Sequence, residues 1–583
     1  MMRRQKYCFV VALCLLVGAS APLRAAPRVG DFALLDQHGD FYQLSYYKDA
    51  KVLALLVLPP SEEKALINQY QAVAAKYQSD KFIFVAIRIG AVNDRQALRK
   101  RLSDVGVTIP VLLDDSESVA ELLNLTRAGE VLLLDPMLQQ ALFRGPVGPA
   151  LTLALEQRTA NVTVAPALVE VPGPPLAMSN ARQDWRNPKA TSYSKDVAPL
   201  LVKNCLSCHR AGGVAPFAMD SWDVVRGWSP MIKEVLLTKR MPPGQIDPVI
   251  GHFKNGRALN SKEMTTIMRW IDSGAPQDGN RDPLMELDKR DDQWAFGKPD
   301  HIIELPPQIV PAIGPVEFSQ MVLPIGLQTV GWLRASQFMP GDKRVLHHAE
   351  LFIASTQSTG PEATRQTRST ANALPPYYGA SDSDMAIFSP FVPGDEPVAL
   401  PDNTGGVITK EAALVVQLHY SAIGREVQDK SRIGLWFYDE ASPPQDRMAI
   451  ECACLAPASW KSIPPRTAKF QTQATLTLKK DAYLYSVLPR MHYRGSAIRF
   501  DAERPSGEVE PLLNVAKYNY NWQIDYQFLT PKFLPAGTKI IASARYDNSS
   551  RNSFNPDPSQ EVVWGRESFN EELAAVFQLK YLD

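Results

Sequence analysis

The chain has 583 residues, more than one hydrophobic core usually supports, so about three to five domains are expected. Hydrophobic residues make up 45% and charged residues 21%, an ordinary globular balance that excludes a disordered chain and a multi-span membrane protein. With 62 basic and 62 acidic residues there is no net field, which argues against nucleic acid as a partner.

The chain opens with basic Arg3, Arg4 and Lys6, then an apolar stretch from Cys8 to Ala19, then Leu23-Arg24-Ala25 as a cleavage point. Residues 1–25 therefore read as a removed signal peptide, placing the product in the periplasm or outside the cell; an uncleaved anchor is the competing reading.

From Val29 to about Val147, strand and helix patterns alternate: strands at Lys51–Leu58, Lys81–Arg88, Thr108–Asp114 and Val131–Asp135, helices at Glu62–Tyr77 and Asp94–Val105. Such alternation predicts an α/β sheet. The order, with Gly30-Asp31-Phe32 and the run from Val107 to Asp114, resembles the redoxin branch of the thioredoxin fold over about 120 residues. The resemblance implies a reactive cysteine after Leu58, but that turn reads Pro59-Pro60-Ser61-Glu62, and the proline expected before the late strand is replaced by Arg127-Ala128-Gly129-Glu130. Thiolate chemistry needs a thiolate, so residues 26–160 are expected to be a redox-dead docking or packing module, with His38 at its surface. Residues 161–190, with Pro166, Pro172, Pro174, Pro175 and Pro188, read as an extended linker whose prolines disfavour helix and sheet alike.

The segment 191–285 carries Cys205-Leu206-Ser207-Cys208-His209. Two thiols at this spacing followed by histidine form a covalent haem attachment site, with His209 as proximal ligand. A thioredoxin-like or zinc Cys-x-x-Cys would need a βαβ setting or a second pair nearby. Lys239-Arg240-Met241-Pro242-Pro243-Gly244 is the natural source of a sixth ligand; Met219, Met231, His252 or no ligand are the alternatives. The text around Leu200–Gly213 and Arg240–Pro243 resembles small class I cytochrome c domains, which implies Met241 as the ligand. Helices are expected at Val224–Thr238 and Ser261–Ser273, the second capped by Ser261.

Residues 286–583 change to short β-branched and aromatic runs broken by Pro, Gly, Asn and Asp, enough for two β sandwiches, 286–445 and 446–583. Four of the chain's eight histidines lie here in suggestive positions: His347, His348, His419 and His492. Imidazole suits copper, iron and zinc alike, and adjacent strand residues such as His347 and His348 should point to opposite faces. His252 and His301 read as structural. Cys452 and Cys454 form a strained bridge, a soft-metal thiolate pair, or two buried apolar residues.

The texts Val345–Glu350, Val415–Tyr420, Met491–Gly495 and Tyr546–Gly565 resemble the copper type II, ascorbate-dependent monooxygenases, the peptidylglycine and dopamine hydroxylating enzymes, over about 280 residues. The resemblance implies an electron-receiving copper on His347, His348 and His419. It also implies a second, oxygen-activating copper on His-x-His and a methionine. There the sequence has Arg490, Met491, His492 and later Glu571-Glu572-Leu573, so two of three ligands are missing. Arginine stays protonated and cannot replace an imidazole; His492 with Met491, or the Cys452/Cys454 pair, are candidate substitutes.

The expected fold class is multidomain: an α/β thioredoxin-like domain, an all-α cytochrome c domain and two all-β, jelly-roll-like copper domains. The expected cofactors are covalent haem c and one copper, with a second copper in doubt. An electron donor or acceptor protein is the expected partner, and a small molecule or peptide the expected substrate if hydroxylation survives. Three functions compete: a copper and haem hydroxylase with a built-in electron donor, an electron-transfer or copper-binding protein with a degenerate oxygen site, and an envelope scaffold.

Overall fold

The computed structural model describes residues 28–582 except 60–62, 163–166, 177–190, 288–293, 315–318, 355–385, 388–390, 395–396, 398 and 566. The expected signal peptide, the Pro60-Ser61-Glu62 turn and much of the linker lie outside the described residues.

The first region comprises β1 (Ala33–Asp36), β2 (Phe41–Gln43), β3 (Val52–Val57), α1 (Lys64–Tyr77), β4 (Phe82–Ile89), α2 (Arg95–Asp104), β5 (Val111–Asp114), α3 (Ser118–Leu122), β6 (Glu130–Asp135), β7 (Gln140–Pro146), α4 (Pro149–Thr159) and β8 (Ala167–Leu168). They form one sheet in the order β2-β1-β5-β4-β3-β6-β7-β8, a thioredoxin-like α/β arrangement whose parallel centre is β5, β4 and β3. The apolar run Val-Leu-Ala-Leu-Leu-Val makes β3 buried along its whole length, as a strand covered on both faces must be. Its alternation sorts two cores. Val52, Ala54 and Leu56 pack with Ile67 and Tyr70 of α1 and Leu151 of α4, while Leu53, Leu55 and Val57 belong to a core shared with the helical segment that follows. That segment holds α5 (Ala198–Asn204), α6 (Trp222–Leu237) and α7 (Ser261–Asp272), which contribute Leu201, Ile232, Leu236 and Met268 to the shared core. The thiol-free sheet is thus one wall of the helical segment.

Two local expectations need correction. The cap of α7 is Asn260, not Ser261: Asn260 Oδ1 accepts the Glu263 N–H at 2.9 Å and the Glu263 carboxylate accepts the Asn260 N–H at 3.0 Å. The reciprocal box requires a carboxylate three residues after the cap, which only Asn260 has. The proline-rich segment also enters the sheet, as β8 pairs parallel with β7; Ala167 and Leu168 lie between its prolines and keep their own N–H groups.

The remaining strands are β9 (His301–Glu304), β10 (Gln308–Val310), β11 (Ser319–Pro324), β12 (Gly331–Met339), β13 (Leu346–Ala354), β14 (Ala386–Ile387), β15 (Thr404–Ile408), β16 (Ala413–Tyr420), β17 (Val427–Asp429), β18 (Arg432–Phe437), β19 (Asp446–Arg447), β20 (Ala449–Cys454), β21 (Phe470–Thr477), β22 (Ala482–Arg490), β23 (Gly495–Glu503), β24 (Val509–Val515), β25 (Tyr526–Leu534), β26 (Lys539–Tyr546) and β27 (Ala574–Tyr581). Sheets β11-β16-β13-β14 and β19-β15-β12-β18-β9 enclose one core, and sheets β20-β27-β22-β25 and β21-β26-β23-β24 enclose another. The two sandwiches meet along a seam where Phe352 of β13, Val415 of β16, Leu488 of β22 and Val576 of β27 pack together.

Candidate functional site

Strand alternation determines what enters the seam. On β13, Ala349 and Leu351 face the first core, which sends His348, Glu350 and Phe352 outward; on β16, Val416 and Leu418 face inward while Val415 and His419 face outward. In the second sandwich Met491 and Leu573 join the core, so Arg490, His492 and Glu572 face the seam.

His347 and His348 do not point apart as adjacent strand residues should. The register between β13 and β16 shifts between Leu346 and His348, and this irregularity turns both imidazoles to one place, with their Nδ1 atoms 2.7 Å apart. Asn521 Oδ1 accepts from His347 Nε2 at 2.7 Å, which fixes the proton on Nε2 and leaves Nδ1 its lone pair. His419 lies directly across from His348, and the two rings stack at 4.0 Å between centroids. Burial holds all three imidazoles below the ordinary histidine range, and for His348 and His419 neighbouring imidazoles and the Arg490 charge add to it. Neutral imidazoles are the form that binds metals.

With the proton of His347 on Nε2, His348 Nδ1 donates to His347 Nδ1, and a cation held by both nitrogens would take the place of that shared proton. Among the described residues, no group of three or more His, Cys, Asp or Glu is already arranged to hold a metal; the His419 ring lies face to face on His348.

The other side of the seam is filled by charge. Arg490 pairs with Glu350 from the first sandwich and with Glu572 from the second, the latter at 3.2 Å, all three nearly excluded from solvent. His348 Nε2 lies 3.7 Å from Glu350 and His492 Nε2 lies 3.7 Å from Glu572, so the series His348, Glu350, Arg490, Glu572, His492 crosses the seam without a break. Tyr520 stacks on His347 at 5.2 Å and meets the His492 ring edge-on at 6.0 Å.

Neither Met491 nor the Cys452/Cys454 pair presents a free soft ligand to the seam. Met491 is fully buried in the second core beside Tyr518 and Gly495. Cys452 and Cys454 are joined as a disulfide on β20, which leaves no thiolate for a metal.

The Cys-x-x-Cys-His segment follows α5. Cys205 and Cys208 remain unbridged, and burial raises the Cys205 thiol to about 12. His209 Nδ1 donates to the Phe217 carbonyl at 3.0 Å, which leaves the lone pair on Nε2. Two intact thiols beside a buried imidazole that keeps its Nε2 lone pair fit covalent haem attachment. Met219, one alternative ligand, is buried and its N–H donates to the His209 carbonyl at 2.8 Å; Met231 is half exposed. The Met241 loop lies against the second sandwich, where Tyr526 donates to the Gly244 carbonyl at 2.8 Å. His301 is structural as expected, Nε2 bonding the Ile325 carbonyl at 2.6 Å, and His38 is exposed.

A strap links the two places. Phe391 and Ala349 exchange N–H···O bonds of 2.8 and 2.9 Å beside His348, Val392 is buried in the second core, and the Pro393 carbonyl lies 3.9 Å from Cys208 Sγ. Gly394 has φ +82°, and a Cβ there would fall 2.2 Å from that sulfur, so only glycine fits.

Sequence reasoning missed Glu350, Glu572, Tyr520 and Asn521. Glu350 was within reach, since it lies two residues after His348 and shares its face. Tyr520 and Asn521 come from the connection between β24 and β25 and carry no periodic signal.

No family model matches the chain. Among solved structures it is similar to a hypothetical protein from Sinorhizobium meliloti 1021, with 19% identity over 27% of this chain and 94% of that one, at a TM-score of 0.24. It is also similar to peroxidoxin BcpB from Mycobacterium tuberculosis, with 17% identity over 23% of this chain and 96% of that one, and to a thiol-disulfide oxidoreductase from Bacteroides fragilis NCTC 9343, with 18% identity over 22% and 98%, both at a TM-score of 0.20.

Proposed function

We propose that this chain is an exported oxidoreductase that moves single electrons between a covalent haem on Cys205, Cys208 and His209 and one copper on His347, His348 and His419, without hydroxylating a substrate. The observation that carries this reading is the Phe391–Gly394 strap, which runs from the Cys208 sulfur to the backbone of the His348 strand through one van der Waals step and a pair of hydrogen bonds. The two groups, when bound, supply one-electron redox chemistry. The chain's part is orientation: the Phe217 carbonyl holds His209, and Asn521 holds His347 in the tautomer that presents Nδ1.

Loss of hydroxylation follows from Arg490. Its ion pairs with Glu350 and Glu572 occupy the seam beside His492, and a guanidinium there opposes a second cation. An electron donor or acceptor protein is the partner this reading needs.

Reoxidation of the haem after rapid reduction tests it. Copper-loaded protein should reoxidise faster than copper-free protein, and Gly394→Ala, which pushes the strap off Cys208, should slow the step while copper content is retained. Equal rates with and without copper would sink the reading.

A further inference from the structure

The loop from Lys239 to Asp247 leaves the end of α6 and is gripped by both neighbouring domains. On one side Arg95 of α2, in the thiol-free α/β domain, forms an ion pair with Asp247, whose carboxylate is fully buried and whose partner is about 10% exposed. Asn514, near the end of β24, joins the same point: its carbonyl accepts the Asp247 N–H at 2.8 Å, and its side-chain amide donates to Asp247 Oδ2 at 3.3 Å and to the Gly39 carbonyl at 3.0 Å. Gly39 has φ +87°, and a Cβ there would lie 2.7 Å from both Asp247 and Asn514, so the contact admits no side chain. On the other side Ile246 is buried in the second sandwich core, Tyr526 donates to the Gly244 carbonyl, and a Cβ on Gly244 would lie 2.3 Å from Ile524. Within the loop, Gln245 donates to the Met241 carbonyl at 3.0 Å.

Surface loops are ordinarily the mobile part of a fold. This one is fastened at its end by a buried ion pair between domains, and breaking such a pair by removing one partner leaves an uncompensated buried charge. Met241 itself is bonded locally, its N–H donating to the Val235 carbonyl at 3.2 Å and its carbonyl accepting from Gln245, while the far end of the same short loop is held by residues distant in sequence.

We propose that Arg95 and Asp247, with Asn514, are positioning residues that hold the Met241 loop as the haem's sixth-ligand arm, so the α/β domain acts on the haem through this contact and not through thiol chemistry. The proposal rests on the reading of Met241 as the haem ligand. It gives the thiol-free domain a role that the shared core alone does not: a methionine opposite histidine raises the haem potential, and a loosened arm would let that ligand dissociate.

The test uses the full chain with its covalent haem and reads two signals: the red absorption band of methionine-ligated ferric haem, and the haem midpoint potential. Met241→Ala is the reference and should abolish the band and lower the potential. Arg95→Ala and Asp247→Asn should each weaken the band and move the potential in the same direction, with haem content unchanged, and Arg95→Lys should restore most of both. If Arg95→Ala does not accumulate, Arg95→Gln and Asn514→Ala make the same test with smaller disturbance. A band and potential unchanged in these variants, while Met241→Ala loses both, would overturn the positioning role and leave the ligand reading intact. No change in Met241→Ala would overturn the ligand reading, and the proposal with it.

Discussion

The two faces of the seam share one architectural plan and carry opposite contents. The first sandwich presents three neutral imidazoles, with His347 and His348 brought together by a strand irregularity and His347 fixed by Asn521. The second presents one imidazole, His492, beside an arginine whose charge is answered from both sides by Glu350 and Glu572. Arg490 is part of the join between the sandwiches, and a buried charge of this kind persists only where partners compensate it.

The sharpest way to break this contrast is on the first face. His348→Ala removes one of the two converging nitrogens and the ring on which His419 stacks. Loss of bound copper with covalent haem unchanged is expected, measured by metal analysis and haem absorbance. Retention of copper would mean that the metal sits elsewhere.

Next comes the second face. Arg490→Ala leaves two buried carboxylates without their cation and should destabilise the protein by about 3–5 kcal/mol, read as a shift in denaturant midpoint. Glu350→Gln together with Glu572→Gln in that background should recover much of the loss. A neutral Arg490→Ala would show that the pairs do not hold the seam.

Met491→Leu sharpens the contrast by separating a core residue from a ligand. A volume-conserving swap in the second core should cost less than about 1.5 kcal/mol and leave copper content and haem potential unmoved. A change in copper content would return Met491 to the ligand set.

The smallest effect lies away from the seam. Burial raises Asp114 from its ordinary 3.8 to about 7, opposed by N–H groups of Ala120 and Val119, with Asp115 and Glu117 adding to the rise. Arg95, Lys239 and Arg88 are the cations facing this cluster. Because the folded state favours the protonated acid, its contribution to stability is fully present below about 4 and is lost as pH rises through about 7. Asp114→Asn should flatten the stability profile between those limits, followed by thermal unfolding across pH; an unchanged profile would contradict the assignment.

How much of this was legible in the sequence depended on the range of the interaction. The alternation from Lys51 to Asp135 pointed to the α/β sheet because strand burial and helix periodicity are local, and β3, α1, β4 and α2 lie where the pattern put them within a residue or two. The order of strands across the seam is not local, so Arg490 could be read as a missing ligand but not as the partner of Glu350, 140 residues earlier. His347 and His348 show the same limit: alternation sends them to opposite faces, and only the register shift against β16 brings them together. Cys452 and Cys454 were legible as a pair, and their fate was decided by the backbone of β20. The grip of the α/β domain on the Met241 loop depends on Arg95, Asp247 and Asn514, which no spacing relates.

The contrast between the two faces is tested most directly by counting copper against covalent haem in one sample of purified holoprotein. One copper per haem is the expected result; two would contradict the closure of the second face by Arg490, and none would contradict the site on His347, His348 and His419.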